Sequence, residues 1–415
     1  MLAREISNLL AWREAFNMRK FQWVGGVMLA ISTSTLVYAE EGSGTVRGNA
    51  FNPDISLILM GRYAYLTQDP TDYRINGFVP GGEVGPPPRG FGLGESELGF
   101  YANVDPRFYG GLNLALAPDN GVSVEEAYFQ TLALAPGLTL RGGRFFSGIG
   151  YLNERHAHTW DFADNPLSYQ VFLETQFAQE GLQLKWLAPL ERYLEVGAEI
   201  GNGRGFPASD AARNDLGSGA LYAHTGGDVG DSHSWRAGAS WLAAWPRARA
   251  FDTTDITGAQ ISNRFSGTSH LAILDAVWKW APQGNAVQRN VILQGEYFMR
   301  RERGDLSSSA VTSAYTSAQS GGYVQALFQF VRYWRVGARA EQLESGQVDF
   351  GALASGMDNT RYRVRKYSVM IDFSPSEFSR LRLQLARDGS RANATDNQLV
   401  LHYQMSLGAH GAHTF

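Results

Sequence analysis

The sequence predicts a closed, all-β transmembrane barrel of about sixteen antiparallel strands. Three observations predict this fold class. Apolar and polar residues alternate with a period of two, the connections between the alternating segments are long and short in turn, and no segment after residue 39 has eighteen consecutive apolar residues. A barrel turns an apolar face to lipid and a polar face to its lumen, which agrees with the mean hydropathy of −0.23.

The predicted strands come from the period-two pattern. Residues 194–200 read Leu-Glu-Val-Gly-Ala-Glu-Ile, and residues 380–385 read Arg-Leu-Arg-Leu-Gln-Leu. Such alternation is typical of a strand that has one apolar and one polar face. The segments that carry the pattern are 55–66, 95–104, 108–117, 122–134, 138–146, 177–188, 192–201, 218–226, 234–245, 269–280, 289–302, 321–332, 334–344, 361–374, 379–388 and 397–415.

The connections between these strands differ in length on the two sides. Those after odd-numbered strands are 67–94, 118–121, 147–176, 202–217, 246–268, 303–320, 345–360 and 389–396, and all but one are long. Those after even-numbered strands are short and contain turn residues such as Asp105-Pro106 and Pro136-Gly137. This asymmetry predicts an outer-membrane barrel with short periplasmic turns and long external loops.

The first 39 residues have the pattern of an upstream extension followed by a signal peptide. Arg19-Lys20 precede the apolar stretch 24–36, and Val37-Tyr38-Ala39 fits a small-x-small cleavage site. We therefore expect secretion through the inner membrane, cleavage near Ala39, and a single barrel domain over 40–415 in a bacterial outer membrane, in contact with its lipid.

Composition narrows the partners and the chemistry. The chain has no cysteine, which excludes disulfides and cysteine–metal sites, and its formal net charge of −4 gives no basic excess for nucleic acid. No cofactor motif is present, so no cofactor is expected. The terminal Phe415 follows an alternating strand and resembles the signal that the barrel-assembly machinery of Gram-negative bacteria recognises.

Several segments resemble one family of channels. The segments 52–59, 94–100, 124–128, 140–145 and 152–162 are similar to the phosphate-selective porin O and P family, and the resemblance covers most of 52–200. It implies a sixteen-stranded channel that is commonly a homotrimer and passes small solutes or anions. Phosphate selectivity does not follow, because only three lysines remain after residue 39, whereas that family's selectivity is attributed to pore arginines and lysine clusters.

Charged residues at alternating positions are the candidate pore lining. They are Arg141, Arg335, Arg339, Arg361, Arg363, Arg365, Arg380, Arg382, Glu95, Glu97 and Glu126. Arginine pairs with oxyanions in a bidentate geometry, so an arginine-lined pore would prefer anions. Alternatively, carboxylates balance the arginines, and the resulting ladder sets a transverse field without choosing a solute. We favour the second interpretation.

The connection 147–176 is a candidate constriction that folds into the lumen. Its polar residues are Arg155, His156, His158, Asp161 and Asp164. Two histidines two positions apart on an extended segment point the same way, so His156 and His158 could hold a divalent ion with a nearby carboxylate. The favoured interpretation is that these side chains only contact the lumen wall.

Together these features predict a porin that allows passive diffusion of small hydrophilic solutes or ions, anions such as phosphate among them. Two alternatives stay open, a barrel with a zinc-linked uptake role and a non-conducting adhesin or structural barrel. Ser147 and Ser168 flank the histidines as a hydrolase would need, but no Gly-x-Ser-x-Gly is present, and we expect no enzyme.

Overall fold

In a computed structural model of the protein, the described residues are 53–408 apart from 83, 118–120, 210, 212, 256–259 and 309–310. The predicted signal peptide (1–39) and Phe415 lie outside the described residues. Among the described residues, no helix is both long enough and apolar enough to cross a membrane.

The described chain is built almost entirely from β-strands. They are β1 (Asp54–Leu66), β2 (Gly90–Leu93), β3 (Ser96–Asn103), β4 (Phe108–Leu116), β5 (Val122–Thr131), β6 (Leu138–Phe146), β7 (Ala178–Leu187), β8 (Tyr193–Gly201), β9 (Ser218–Val229), β10 (His233–Ala244), β11 (Arg249–Thr254), β12 (Gln260–Trp280), β13 (Asn290–Ser308), β14 (Val311–Val331), β15 (Trp334–Asp349), β16 (Arg363–Ser376), β17 (Ser379–Asp388) and β18 (Asp396–Gly408). The helix α1 (Leu167–Leu173) lies between β6 and β7. Short 3₁₀ turns occur at Pro70–Asp72, Ala157–Thr159, Pro282–Gly284 and Gly351–Leu353.

Antiparallel pairing closes the strands into one ring, because β1 pairs with β18 as well as with β2 and β3. The short β2 and β3 lie one after the other along β1, and β10 and β11 lie one after the other along β12. Each of these two pairs forms one interrupted strand, so the ring has sixteen positions. This confirms the predicted sixteen-stranded antiparallel barrel.

The two faces of the wall differ as the alternation predicts. Along β14, the side chains of Tyr323, Gln325 and Leu327 are buried inside. Val324 and Phe328, which alternate with them, are exposed by 65% and 42%. Exposed apolar side chains of this kind surround the barrel and include Leu59, Leu184, Trp186, Leu221, Trp241, Leu274, Leu293, Val336, Val369, Ile371, Leu383 and Leu401. A continuous apolar outer band is typical of a surface that faces lipid.

The wall is much taller on one side than on the other. Strands β12 and β14 have 21 residues each, whereas β3 has 8 and β4 has 9. A strand of about 9–11 residues spans a membrane, so the long strands continue well beyond it. The predicted external loops 246–268 and 303–320 are therefore largely strand, and 345–360 is strand as far as Asp349, which is a correction to the sequence analysis.

The loop prediction fails here because these parts of the strands stand in water and not in lipid. Residues 311–318 read Val-Thr-Ser-Ala-Tyr-Thr-Ser-Ala, with no apolar face, because a strand in water needs none. These extensions are instead held by ladder pairing between β13 and β14 and by a small cluster of Phe265, Leu306, Tyr315 and Met357. The alternation that identified the membrane-spanning parts is consequently absent here.

Candidate functional site

Residues 147–177, which connect β6 to β7, run through the interior of the barrel, and we call them the interior loop. Backbone N–H groups of the loop donate to carboxylates on three different strands. Gly148 donates to Glu199 on β8 (2.8 Å) and Tyr151 to Glu296 on β13 (2.9 Å). The third bond runs from Leu167 to Glu341 on β15 (2.6 Å).

Apolar packing also holds the interior loop. All seven residues of α1 are buried. The rings of Tyr169 and Phe172 contact Phe298 of β13 at centroid distances of 5.0 and 5.9 Å. The largest hydrophobic cluster of the described residues therefore lies within the lumen, between the loop and the wall. Burying these side chains drives the loop inward, because water is excluded from large apolar surfaces.

Asp164 attaches the interior loop to one side of the wall. Its carboxylate accepts hydrogen bonds from Arg339 (2.7 Å), Lys366 (2.5 Å) and Gln384 (2.8 Å), which belong to β15, β16 and β17. Burial by itself would raise the pKa of Asp164, but the charges of Lys366 and Arg339 outweigh it and hold that pKa well below its usual range. Asp164 therefore stays ionised in ordinary buffers.

Further arginines bind the loop beside Asp164. Arg335 forms a bidentate pair with Asp372 (2.6 and 3.1 Å) and also donates to Asp161 (3.0 Å). Arg380 and Arg382 both donate to the carbonyl oxygen of Trp160, at 3.1 and 2.9 Å. Most of these arginine side chains therefore hold the interior loop to the wall.

Five neighbouring strands carry these charges in one row. The ladder register pairs Arg335 with Asp372, Asp372 with Arg382, Arg382 with His402, and His402 with Arg62. The row therefore runs from β15 through β18 to β1. Arg62 and His402 at its β1 end are only partly buried.

A cluster of carboxylates and histidines lies on the far side of β1. His156 Nδ1 is 3.2 Å from Glu125 Oε2 and 3.4 Å from Glu97 Oε2, and His156 Nε2 is 3.1 Å from Glu126 Oε2. His158 Nδ1 is 2.8 Å from the other oxygen of Glu97. Burial lowers the pKa of His156, but the bonds to Glu125 and Glu126 and the charge of Glu97 raise it well above its ordinary value.

A β-bulge brings two consecutive carboxylates to this cluster. Asn113 pairs with Glu126 and Leu114 pairs with Val124, so Glu125 is an extra residue in the ladder between β4 and β5. A strand without a bulge would turn Glu125 toward the outer face. The bulge is the reason why both Glu125 and Glu126 reach His156.

Glu154 forms a third attachment of the interior loop, on β6 and β7. It accepts a hydrogen bond from Lys185 on β7 (2.5 Å). Partial desolvation would raise the pKa of Glu154, whose side chain is 35% exposed, but Lys185 and the guanidinium of Arg141 lower it to about 2. Arg141 itself donates to Gln130 (3.0 Å) and covers the ring of Tyr128.

A cavity of about 1910 Å³ lies above the interior loop, between the tall strands and the segment 70–88. Its lining includes Arg62, Glu95 and His402 on the wall and Ala157 and Trp160 on the loop. The space therefore reaches the level of the loop along β18, β1 and β3.

The structure places most of the predicted lining residues inside the barrel. Arg141, Arg335, Arg339, Arg380, Arg382, Glu95, Glu97 and Glu126 face the lumen side, as their partners show or as the cavity lining shows for Glu95. Arg155, His156, His158, Asp161 and Asp164 lie on the interior loop, where Arg155 covers the ring of Tyr151 at 4.2 Å.

Three of the predicted lining residues are wrong. Arg361 precedes β16 and is exposed, and Arg363 and Arg365 are exposed on the outer face of β16. Arg363 pairs with Glu344 there (2.9 Å), with side-chain exposures of 60% and 43%. The inward polar residues of β16 are Lys366, Ser368 and Asp372. The external end of this strand stands in water, so a charge is tolerated on its outer face.

Some residues of the site were missed. Arg62 follows inward-facing Ile58 and Met60 on β1, so its strand has no polar face that could have indicated it. Glu125 was missed because of the bulge. Asp372 and His402 do alternate with apolar neighbours, and that signal could have found them.

Solved structures of outer-membrane proteins share this fold. OmpT of Vibrio cholerae in its trimer form is 11% identical with a TM-score of 0.54 over 86% of this chain and 99% of that chain. The outer membrane channel DcaP of Acinetobacter baumannii is 10% identical (TM-score 0.51, 86% and 97%). The anion-selective porin from Comamonas acidovorans is 10% identical (TM-score 0.51, 86% and 99%). The closed barrel therefore has the fold of outer-membrane porins.

One relative defines the family more narrowly. An uncharacterized protein of Aquifex aeolicus (strain VF5) is 32% identical over 393 residues, which are 88% of this chain and 80% of the relative. The chain belongs to the same family as this Aquifex protein. No family model matches the chain, so the resemblance to the phosphate-selective porin O and P family stays a prediction.

Proposed function

We propose that the protein is a porin of a bacterial outer membrane that allows passive diffusion of small hydrophilic solutes, anions among them. The observation that carries this proposal is the cavity, which extends between the wall and the interior loop. Arg62, Glu95 and His402 line it on the wall, and Ala157 and Trp160 line it on the loop. Solutes would pass the loop along this wall, so the loop acts as the constriction.

The charges along this passage favour polar solutes. The partly exposed Arg62 and Arg380 stand on the β17–β1 side, and Glu95 stands on the β3 side. Opposite charges across a narrow aqueous passage create a transverse field that orients dipolar solutes, and unneutralised arginines attract anions. The arginines that pair with carboxylates, such as Arg335 and Arg339, hold the interior loop and contribute less to selectivity.

We also propose that the barrel assembles as a homotrimer in the lipid and is inserted by the barrel-assembly machinery. The trimer form of OmpT, which has the same fold, supports the first proposal. The closed antiparallel barrel, the fold that this machinery inserts, supports the second. Chemical cross-linking of the refolded protein in lipid tests the assembly, and three linked chains are the expected limit.

We propose no catalytic role for the barrel. Ser147 and Ser168, the serines that flank the histidines, are exposed by only 0% and 1%. A hydrolytic serine must reach its substrate, so these side chains would need a large rearrangement. Replacing Ser147 by alanine is expected to leave solute permeation unchanged.

Liposome swelling with neutral sugars of increasing size tests the proposed passage. Vesicles that contain the refolded protein should swell in a small sugar and not in a large oligosaccharide. The variant A157W narrows the passage and should slow the swelling, whereas A286W, at an exposed residue of the β12–β13 turn, should not. Equal swelling rates with and without the protein would instead support a non-conducting barrel. This is the second candidate function, because many hydrogen bonds hold the interior loop inside the lumen.

A further inference from the structure

We propose that Glu97, Glu125 and His156 form a binding site for a divalent transition-metal cation, for which Zn²⁺ is the probe. These three residues come from β3, β5 and the interior loop. One ligand atom from each, a carboxylate oxygen or an imidazole nitrogen, lies within 4.8 Å of the other two. Carboxylate and imidazole together are a ligand set that Zn²⁺ and related ions prefer.

Two of the distances between these atoms match those around a tetrahedral ion. With metal–ligand bonds of about 2.0–2.1 Å, the ligand atoms of a tetrahedral site stand about 3.3 Å apart. His156 Nδ1 lies 3.4 Å from Glu97 Oε2 and 3.2 Å from Glu125 Oε2. Both carboxylate oxygens therefore already stand at a suitable distance from His156 Nδ1 for one ion to bind between them.

Asn113 supplies the fourth corner of this arrangement. Its Nδ2 is 3.2 Å from Glu97 Oε2, 3.3 Å from Glu125 Oε2 and 3.0 Å from His156 Nδ1. A half-turn of the amide exchanges Nδ2 and Oδ1, and these two atoms are distinguished by their hydrogen bonds alone. After that flip, the carbonyl oxygen of Asn113 occupies the fourth corner as a ligand.

The surrounding residues orient the ligands as they do in known metal sites. The backbone N–H of Phe146 donates to Glu126 Oε1 (3.2 Å), and Glu126 Oε2 contacts His156 Nε2 (3.1 Å), which turns Nδ1 toward the site. His158 Nδ1 similarly contacts the free oxygen of Glu97 (2.8 Å). A carboxylate behind a ligating imidazole fixes its tautomer and strengthens it as a ligand.

Charge and access also suit a cation. Two carboxylates offer a charge of −2 to a 2+ ion, Asn113 is uncharged, and His156 adds no charge once the ion has displaced its proton. Asn113 and Glu97 are each only 2% exposed, so bulk water competes little for the ion. The cavity reaches Glu95 and Ala157, the neighbours of Glu97 and His156, and this gives an ion a route from outside. The ion would also tie the interior loop to β3 and β5.

Isothermal titration calorimetry of the refolded, metal-stripped barrel with Zn²⁺ tests this site. We expect one Zn²⁺ per chain. The variant H156A should abolish this binding, and the positioning variant E126Q should weaken it by about 10–100-fold. The matched control is H233A, because His233 begins β10 and stacks on Trp278, away from the cluster. Heat-modifiable migration on a gel verifies that each variant is folded.

A second variant tests the site if H156A does not fold. N113D replaces the amide by a stronger oxygen ligand and should tighten Zn²⁺ binding at least about tenfold. Failure of wild type to bind would show that a protonated imidazole alone neutralises the carboxylates. Equal affinity in wild type, E126Q and N113D would place the bound Zn²⁺ outside this cluster. Binding requires only the folded barrel, so this result is independent of whether the barrel conducts.

Discussion

Glu125 and Glu126 are consecutive in the chain, yet both contact the ring of His156, one at Nδ1 and the other at Nε2. The β-bulge opposite Asn113 makes this arrangement possible. It lets two neighbouring side chains of β5 face the lumen, and it places negative charge on both sides of the imidazole. The interior loop is thereby bound to β5, whereas Asp164 binds it to β15, β16 and β17.

The first prediction concerns Gly143 of β6. It pairs with Tyr128 of β5, which lies three residues after Glu125, the extra residue of the bulge. Gly143 has φ +124°, and a Cβ there would lie 2.3 Å from the carbonyl oxygen of Ala127. We expect G143A to lower the free energy of unfolding by at least about 2 kcal/mol, measured by urea titration in detergent. The control G61A, where nothing lies within 4 Å of the added Cβ, should change it little.

The second prediction concerns the attachment by Asp164. The variant D164N leaves Lys366 and Arg339 with less negative charge in a buried site and should cost about 3 kcal/mol of stability. The interior loop should also become accessible to proteases, which mass spectrometry of the fragments would detect. D228N, at an exposed residue of β9, serves as control. Wild-type protease resistance in D164N would mean that apolar packing alone holds the loop.

The third prediction is a dependence on pH through Glu154. The pKa of Glu154 in the fold is about 2 and lies below its ordinary value of 4.5. Ionised Glu154 therefore stabilises the fold above pH 4.5, and this contribution disappears as the pH falls towards 2. The urea midpoint of E154Q should lie below that of wild type at pH 6, and the two should converge between pH 4.5 and pH 2. A constant difference over that range would contradict the assignment.

The fourth prediction separates arginines of the passage from arginines of the outer face. Replacing Arg62, which lines the cavity, or the partly exposed Arg380 of β17 by glutamine removes positive charge from the lumen. The reversal potential under a salt gradient should then shift toward cations in R62Q and R380Q. R363Q should leave it unchanged, because Arg363 pairs with Glu344 on the outer face. Equal shifts in all three variants would place the selectivity outside the lumen.

The fold was largely predictable because the membrane imposes it. In hydrocarbon every backbone group must be paired and every outward side chain must be apolar, so the strands alternate visibly. The predicted 379–388 and 138–146 coincide with β17 and β6. Outside the membrane this constraint ends. The upper parts of β12 to β15 therefore look like loops in the sequence, and Arg363 looks like a lumen residue.

The site was predictable only in part, because its contacts join residues that are distant in sequence. The loop residues His156 and Asp164 were identified by their chemistry. Their partners depend on how the loop crosses the barrel, as the pair Asp164–Lys366 illustrates. A bulge such as that at Glu125 shifts the alternation by one residue and cannot be recognised from a single sequence.

The most direct test of the proposed passage is single-channel conductance of the refolded protein in a planar bilayer. We predict discrete conductance steps, a smaller step in A157W, and an unchanged step in A286W. Addition of phosphate should reduce the current in wild type more than in R62Q, because Arg62 lines the passage. Folded, heat-modifiable protein that gives no steps would contradict the porin proposal and leave a closed barrel sealed by its interior loop.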